Sequence, residues 1–278
     1  MKPNYTFHSH TYRCGHAEGD MEDYIKEAIK KGYSFLGVSD HVFLKDIYQP
    51  TIRGNFSLLD EYIETYRKCE EKYKDKIKTY LAFECEYIPR FMEYYKSLLT
   101  CRKFDYLLLG QHMTFDENNK AIGYFWYDHL DNIYGIRKYK DDLIEGMKSG
   151  LFLYAAHPDL FMYTVRKITL EIKEIFNEIV DTSIKYDIPL ELNIGGYTRI
   201  EADEIYGTIG YPCKEFWKIA KDKGAKILFG GDYHAIEQMN NERFFELLSQ
   251  FIDDLKLELY DPNKAFEEYR KRISKLQN

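Results

Sequence analysis

Seven of the chain's eight histidines fall at the ends of predicted strands or just beyond them. His8 and His10 close the first strand in Phe7-His8-Ser9-His10, and His16 follows in Cys14-Gly15-His16-Ala17. His41 follows the second strand next to Asp40, His112 follows the fourth, His157 ends the fifth, and Asp232 and His234 follow the seventh. The third strand ends in carboxylates, Glu84 and Glu86. In extended chain, residues two apart share a side. His8 with His10, and Asp232 with His234, can therefore each face one ion. A single histidine at a strand end is ordinarily a hydrogen-bonded or surface residue. Seven such placements among eight histidines are better explained by one shared metal centre, histidine being the commonest metal ligand. Imidazole with carboxylate suits zinc, iron or manganese rather than calcium. His129, in Asp128-His129-Leu130, stands outside this pattern and reads as a solvated loop residue.

The elements that must gather these residues are an alternation of short apolar runs with amphipathic segments. Strands are predicted over 4–8, 33–39, 78–84, 105–110, 152–157, 188–193 and 226–231. Helical spacing runs through 19–31, where Met21, Tyr24, Ile25, Ala28 and Ile29 form a stripe ending at Gly32. It recurs over 57–74, 169–185 and 213–223. Alternating strands and helices imply right-handed βαβ units and a parallel sheet. Seven units suggest a distorted (β/α)7 TIM-like barrel, with an open doubly wound sheet as the alternative. The C-terminal ends of barrel strands converge on one face, so the metal site is expected there. Residues 1–278 read as a single domain, with the amphipathic segment 237–278 packed on the barrel. The long connection 111–136, with Phe115, Tyr124, Phe125, Trp126 and Tyr127, reads equally as a lid or as a surface excursion.

Composition bounds the function. The formal net charge of −7 fits a soluble protein with a small substrate and not one that neutralises a nucleic-acid backbone. Cysteines 14, 69, 85, 101 and 213 are spaced neither for a disulfide framework nor for a structural zinc site. The start, Met1-Lys2-Pro3-Asn4, has no apolar stretch, and no window approaches a membrane span. Cytoplasm is the expected compartment.

The ordered series of H-x-H with a later His, D-H, a strand-final Glu, a lone His, H-P-D and D-x-H, over about residues 5–235, resembles the polymerase-and-histidinol-phosphatase (PHP) family. The resemblance implies a distorted seven-unit barrel holding three divalent metal ions. It implies that His8, His10, Glu84 and Asp232 hold the first ion. Glu84 then bridges to a second ion held with His112 and His157, and His16, His41 and His234 hold the third. Asp40 is expected to orient a neighbouring ligand from behind, with a direct ligand role as the alternative. Within the family, His8-Ser9-His10-Thr11, Cys14-Gly15-His16-Ala17, Phe83-Glu84-Cys85-Glu86-Tyr87, Leu190-Glu191-Leu192-Asn193 and Tyr211-Pro212 are similar to the monofunctional histidinol-phosphate phosphatases.

The expected reaction is hydrolysis of a small phosphomonoester, with L-histidinol phosphate as best guess, which would serve histidine biosynthesis. Hydroxide bridging two ions would attack phosphorus in line, and the third ion would clamp a phosphate oxygen. No G-x-S-x-G elbow or P-loop suggests another nucleophile or phosphate cradle. A bidentate arginine suits phosphate. Arg199, after the sixth strand, is the first candidate, with Arg166 and then Arg13 behind it. The alternative is a phosphodiesterase or nuclease of the same family, or a phosphatase acting on another small phosphorylated metabolite. A non-catalytic barrel would have lost ligands, whereas all nine expected here are present. Glu191 reads as a hydrogen-bonding residue inside the barrel, its role open.

Overall fold

Phe-, Tyr- and Leu-rich runs become short, fully buried strands that parallel neighbours can cover on both faces. The computed structural model describes residues 2–116, 118, 120–124 and 130–276. Strands β1 (Tyr5–Thr6), β2 (Phe35–Val38), β3 (Lys78–Cys85) and β4 (Tyr106–Leu109) form one parallel sheet in that order. Its register pairs Tyr5 with Phe35, Phe35 with Lys78, and Ala82 with Tyr106. A small antiparallel hairpin, β5 (Met113–Phe115) and β6 (Ala121–Gly123), follows within the long connection. Strands β7 (Leu190–Asn193) and β8 (Ile227–Gly230) pair in parallel, Leu190 opposite Ile227.

Residues 152–156 join the two parallel groups. Leu153 N donates to Leu107 O (2.8 Å) and Ala156 N to Leu109 O (2.9 Å), while Ala155 N donates to Pro189 O (3.0 Å). On the far side, Ser9 bridges Tyr233, and His10 N donates to Tyr233 O at 2.8 Å. The parallel sheet thus curls back toward its own first strand. The expected strand over 152–157 appears as isolated bridges at Ala155. Glu191 N returns a bond to Ala155 O at 2.9 Å, but Pro189 has no N–H to extend the ladder, and the backbone leaves the extended region at His157, where φ is +31°.

The helices between strands are α1 (Met21–Lys30), α2 (Leu59–Tyr73), α3 (Met92–Thr100), α4 (Ile133–Lys148), α5 (Leu170–Tyr186), α6 (Ile200–Tyr206) and α7 (Lys214–Lys223). Local signals set several boundaries. Asp20 and Asp23 form a capping box at the start of α1. Thr169 caps α5 by accepting from Ile172 N, and Gly224 ends α7 in the left-handed region. Two further helices, α8 (Glu242–Leu255) and α9 (Pro262–Leu276), close the chain. Phe266 of α9 packs among aromatic rings of the sheet, with its centroid 4.6 Å from Tyr80 and 5.9 Å from Phe7. The backbone beside it is tied down as well: Tyr269 Oη donates to Leu151 O and Arg272 Nη2 to Phe152 O. Among the described residues, no helix is long and apolar enough to cross a membrane.

The connection 111–136 is only partly irregular, since it contains the hairpin and the first turn of α4. Tyr124 is buried, its hydroxyl donating to Asp142 Oδ2 at 2.5 Å and accepting from Gln111 Nε2 at 2.6 Å. Phe125, Trp126, Tyr127 and His129 lie outside the described residues.

Candidate metal centre

Chain bends just past the strands turn the histidines inward. His8 and His10 leave β1 fully buried, with Nε2 atoms 3.1 Å apart. Glu84, in β3, meets four of these rings. Its Oε2 lies 3.4 Å from His8 Nε2, 3.5 Å from His10 Nε2 and 3.1 Å from His41 Nδ1, and its Oε1 lies 2.8 Å from His157 Nε2. His112 Nε2 is 3.6 Å from the same carboxylate. Asp232 Oδ1 stands 3.4 Å from His8 Nε2 and 3.2 Å from His10 Nε2. His234 stacks on His10 with centroids 4.1 Å apart, and His16 lies 4.7 Å from His234 and 5.4 Å from His41. All nine sequence-predicted ligands therefore belong to one connected cluster. Two of them sit at unusual backbone: His157 has φ +31° and Asp232 has φ +48°. Left-handed non-glycine residues of this kind persist where surroundings over-determine them.

The strand that follows leaves space for each carboxylate. A Cβ on Gly110 would lie 1.8 Å from Glu84 Oε1, so the residue just after β4 leaves the room that Glu84 fills. Behind the cluster, side-chain and backbone acceptors fix several rings. His8 Nδ1 is 2.9 Å from Glu191 Oε1. His16 Nδ1 faces Cys14 O and His234 Nδ1 faces Asp232 O, each at 3.0 Å. A ring that donates Nδ1–H to such an acceptor keeps its Nε2 lone pair for a cation.

Electrostatics point the same way. Burial, with His234 alongside, pushes His10 down to about 3. Burial likewise lowers His41 and His234, leaving neutral imidazoles. Burial opposes a proton on His8, yet Glu191, Asp232 and Glu84 carry it well above the usual imidazole range. Burial also opposes ionisation of Glu84 and Asp232. The facing histidines still hold both carboxyls well below the ordinary carboxylate range.

Does this donor set fit a metal centre? His10 Nδ1, His41 Nδ1, His112 Nδ1, His157 Nδ1 and Glu84 Oε2 are buried without a hydrogen-bond partner. Buried polar atoms are ordinarily paired, and here they crowd within contact distance without hydrogen-bond alignment. Sets such as His8, His10 and Glu84, or His10, His41 and His234, keep their ligand atoms within 4.8 Å of one another. Cys14 joins two further sets, one with His16 and His234 and one with His10 and Asp40, but burial pushes its thiol up to about 12, so the imidazoles and carboxylates are the better donors and suit zinc, iron or manganese. The residues fit divalent ions.

Asp40 has a carboxylate oxygen within 4.8 Å of His10 and Cys14 ligand atoms, and its hydrogen bonds run to Thr11 beside His10. It accepts Thr11 N and Thr11 Oγ1, each at 2.6 Å, and so fixes the chain immediately after His10. Burial raises its carboxyl to about 7. Of the arginines, Arg199 joins His16, His41, Glu84, His112, Asp232 and others around a cavity of about 450 Å³. Its guanidinium lies over the Tyr163 ring, 4.7 Å from the centroid. Arg166 is not brought to this cavity: it is half exposed, and its Nε donates to Asp131 Oδ2 at 2.7 Å. Arg13 is buried between Asp20 and Glu61.

Two supporting groups escaped the sequence reading. Arg53 is buried and forks onto Glu86, at 2.7 and 3.1 Å, and Glu86 stands 3.6 Å from His112 Nδ1. The pair joins residues 33 apart, and no local pattern links them. Asn193 donates to Glu191 at 2.8 Å and to Asp232 Oδ2 at 3.3 Å. The alternation Glu191-Leu192-Asn193 was its one visible signal, since it puts both polar residues on the same face of β7.

Comparison with known proteins follows this geometry. Residues 6–195 match the family model described as PHP domain. A Schizosaccharomyces pombe protein named "Probable histidinol-phosphatase" is 24% identical over 272 residues, which cover 88% of this chain and 85% of that protein. A Deinococcus radiodurans protein of the same name is 25% identical over 234 residues, covering 82% of this chain and 85% of that protein. Among solved structures, histidinol phosphate phosphatase from Lactococcus lactis, complexed with zinc, L-histidinol and phosphate, aligns with a TM-score of 0.69. The identity is 17%, with 92% of this chain and 94% of that one covered, so this likeness speaks for the fold.

Proposed function

The chain belongs to the PHP domain family, whose model spans 6–195 of its 278 residues, and we propose that it is a metal-dependent phosphoric monoester hydrolase acting on L-histidinol phosphate. One observation carries the reading: seven histidines, Glu84 and Asp232 meet in one cluster on a cavity whose wall also bears Arg199. The names of the two sequence relatives, and the ligands of the Lactococcus lactis protein, support the substrate. The curled sheet is read as the (β/α)7 barrel, with 152–156 in the fifth strand's place and the site at the strands' C-terminal ends. Residues 1–278 are read as one domain. Cytoplasmic residence and a part in histidine biosynthesis belong to the same reading.

His8, His10, Glu84 and Asp232 would hold a first divalent ion, Glu84, His112 and His157 a second, and His16, His41 and His234 a third. Zinc, iron or manganese would serve. Such ions lower the pKa of water and neutralise charge on phosphoryl oxygens. The protein's own part is to hold Glu84 between both halves of the cluster, keep the histidine rings facing it, and bring the Arg199 guanidinium to a non-bridging phosphate oxygen. A cavity of about 450 Å³ is in the range of small-molecule sites, which suits a phosphorylated metabolite and not a duplex.

The test is turnover by the metal-reconstituted protein of L-histidinol phosphate, a panel of other small phosphomonoesters, and a phosphodiester. Histidinol phosphate should lead in kcat/KM. Equally feeble turnover of all three removes the substrate assignment, and preference for the diester moves the chain to the nuclease branch of the family.

A further inference from the structure

We infer that Glu191 is the positioning residue of the first two ion sites, holding His8, His157 and, through Asn193, Asp232 in ligating geometry. The inference rests on the metal-centre reading above. Glu191 lies in β7 and is fully buried. Its Oε1 receives His8 Nδ1 at 2.9 Å and Tyr154 Oη at 2.8 Å. Its Oε2 receives His157 N at 3.0 Å and Asn193 Nδ2 at 2.8 Å. A carboxylate has about four acceptor positions, so these contacts use the group fully and leave none for an ion. A Cβ on Gly230 would lie 1.8 Å from Glu191 Oε1, so the neighbouring strand is shaped around this carboxylate.

Each contact has a consequence at the cluster. A carboxylate only accepts, so the hydrogen between it and His8 sits on Nδ1. His8 Nε2, the nitrogen left to face an ion, then points at His10, Glu84 and Asp232, at 3.1, 3.4 and 3.4 Å. The grip on His157 N holds the backbone at φ +31°, the bend from which its Nε2 reaches Glu84 Oε1 at 2.8 Å. Asn193 Nδ2 passes the restraint to Asp232 Oδ2 at 3.3 Å. The third site is supported differently: His16 leans on Cys14 O and His234 on Asp232 O. Glu191 should therefore govern two ion sites and leave the third alone.

Zinc titration of the chelator-stripped, full-length protein against a competing chromophoric chelator tests this. The parent should take up three equivalents. Glu191→Gln keeps the shape but turns an N–H2 group toward either His8 or the His157 N–H. Two equivalents should weaken by about 10- to 100-fold, the usual cost of losing an outer partner of a ligand, while the third keeps the parent's affinity. Asn193→Ala, which removes one donor without altering charge, should weaken the Asp232-bound ion by about 10-fold and spare the third. Uniform weakening of all three equivalents in either variant would mark a general structural role and overturn the inference, as would parent-like binding. Should Glu191→Gln fail to fold, the Asn193→Ala titration decides alone. A parent that binds no zinc defeats the metal-centre reading itself, which separates the two failures.

Discussion

Arg199 differs from the other candidate arginines in what surrounds it. Arg13 is sandwiched by Asp20 and Glu61, and Arg166 lies on the surface against Asp131. Arg199 lies on the Tyr163 ring at the cavity wall, where a guanidinium held flat can offer two N–H groups to one phosphate. Hydrogen bonds to charged groups contribute about 1.5–3 kcal/mol. Arg199→Ala should therefore lower kcat/KM by roughly 10- to 100-fold, mostly through KM, while bound metal per chain stays at the parent's level. Steady-state kinetics with metal analysis on the same sample checks both halves, and unchanged kinetics remove Arg199 from the site. The ranking of these arginines was beyond the sequence. An arginine's task depends on which acids lie near it in space, and Arg13 finds Glu61 across 48 positions. The histidines were legible for the opposite reason. Their role follows from sitting at strand ends, which local periodicity reveals.

At the level of elements, strand positions were readable wherever a run was apolar and bounded by turns. β3 and β4 were expected over 78–84 and 105–110 and occur at Lys78–Cys85 and Tyr106–Leu109. The run 152–157 was equally apolar, but its ladder is broken by Pro189 opposite and by the bend at His157, both of which are features of pairing and not of the run itself. Helix α9 shows what an amphipathic stripe leaves unsaid. The stripe predicts packing, but not that Phe266 enters among Phe7, Tyr80 and Tyr106, with Tyr106 Oη donating to Phe7 O beside it. A phenyl ring so placed ties α9 to the aromatic core of the sheet. Phe266→Ala should cost about 3–5 kcal/mol, the range for emptying a buried aromatic site. Urea unfolding of the stripped protein measures this, and a loss under about 1 kcal/mol would mean that α9 lies on the surface and is not tied to the core of the sheet. Zinc affinity should stay near the parent's, because the rings Phe266 packs against, Phe7, Tyr80, Tyr106 and Tyr269, include no proposed ligand.

For the molecule as a whole, the cluster and the core make separate contributions. The curled sheet, the helices around it and α9 bury a continuous set of apolar side chains that needs no ion to form. The same interior also contains Glu84 and Asp232 beside rings of which burial lowers His10, His41 and His234, and five buried donor or acceptor atoms of the cluster have no partner. Unpaired buried polar groups are costly, so the stripped protein should be folded but well short of its full stability. An ion that binds the folded chain and not the unfolded one adds RT ln(1 + [L]/Kd), about 2.7 kcal/mol per site at a hundredfold excess over Kd. A domain near this size gains roughly 2–4 °C for each kcal/mol. Adding zinc to the stripped protein should therefore raise its thermal midpoint by at least about 5 °C, with calcium at the same concentration doing far less because imidazole is a poor ligand for it. Differential scanning calorimetry with each ion reads the difference. Equal shifts with zinc and calcium would mean that surface carboxylates, and not the histidine cluster, bind the ions.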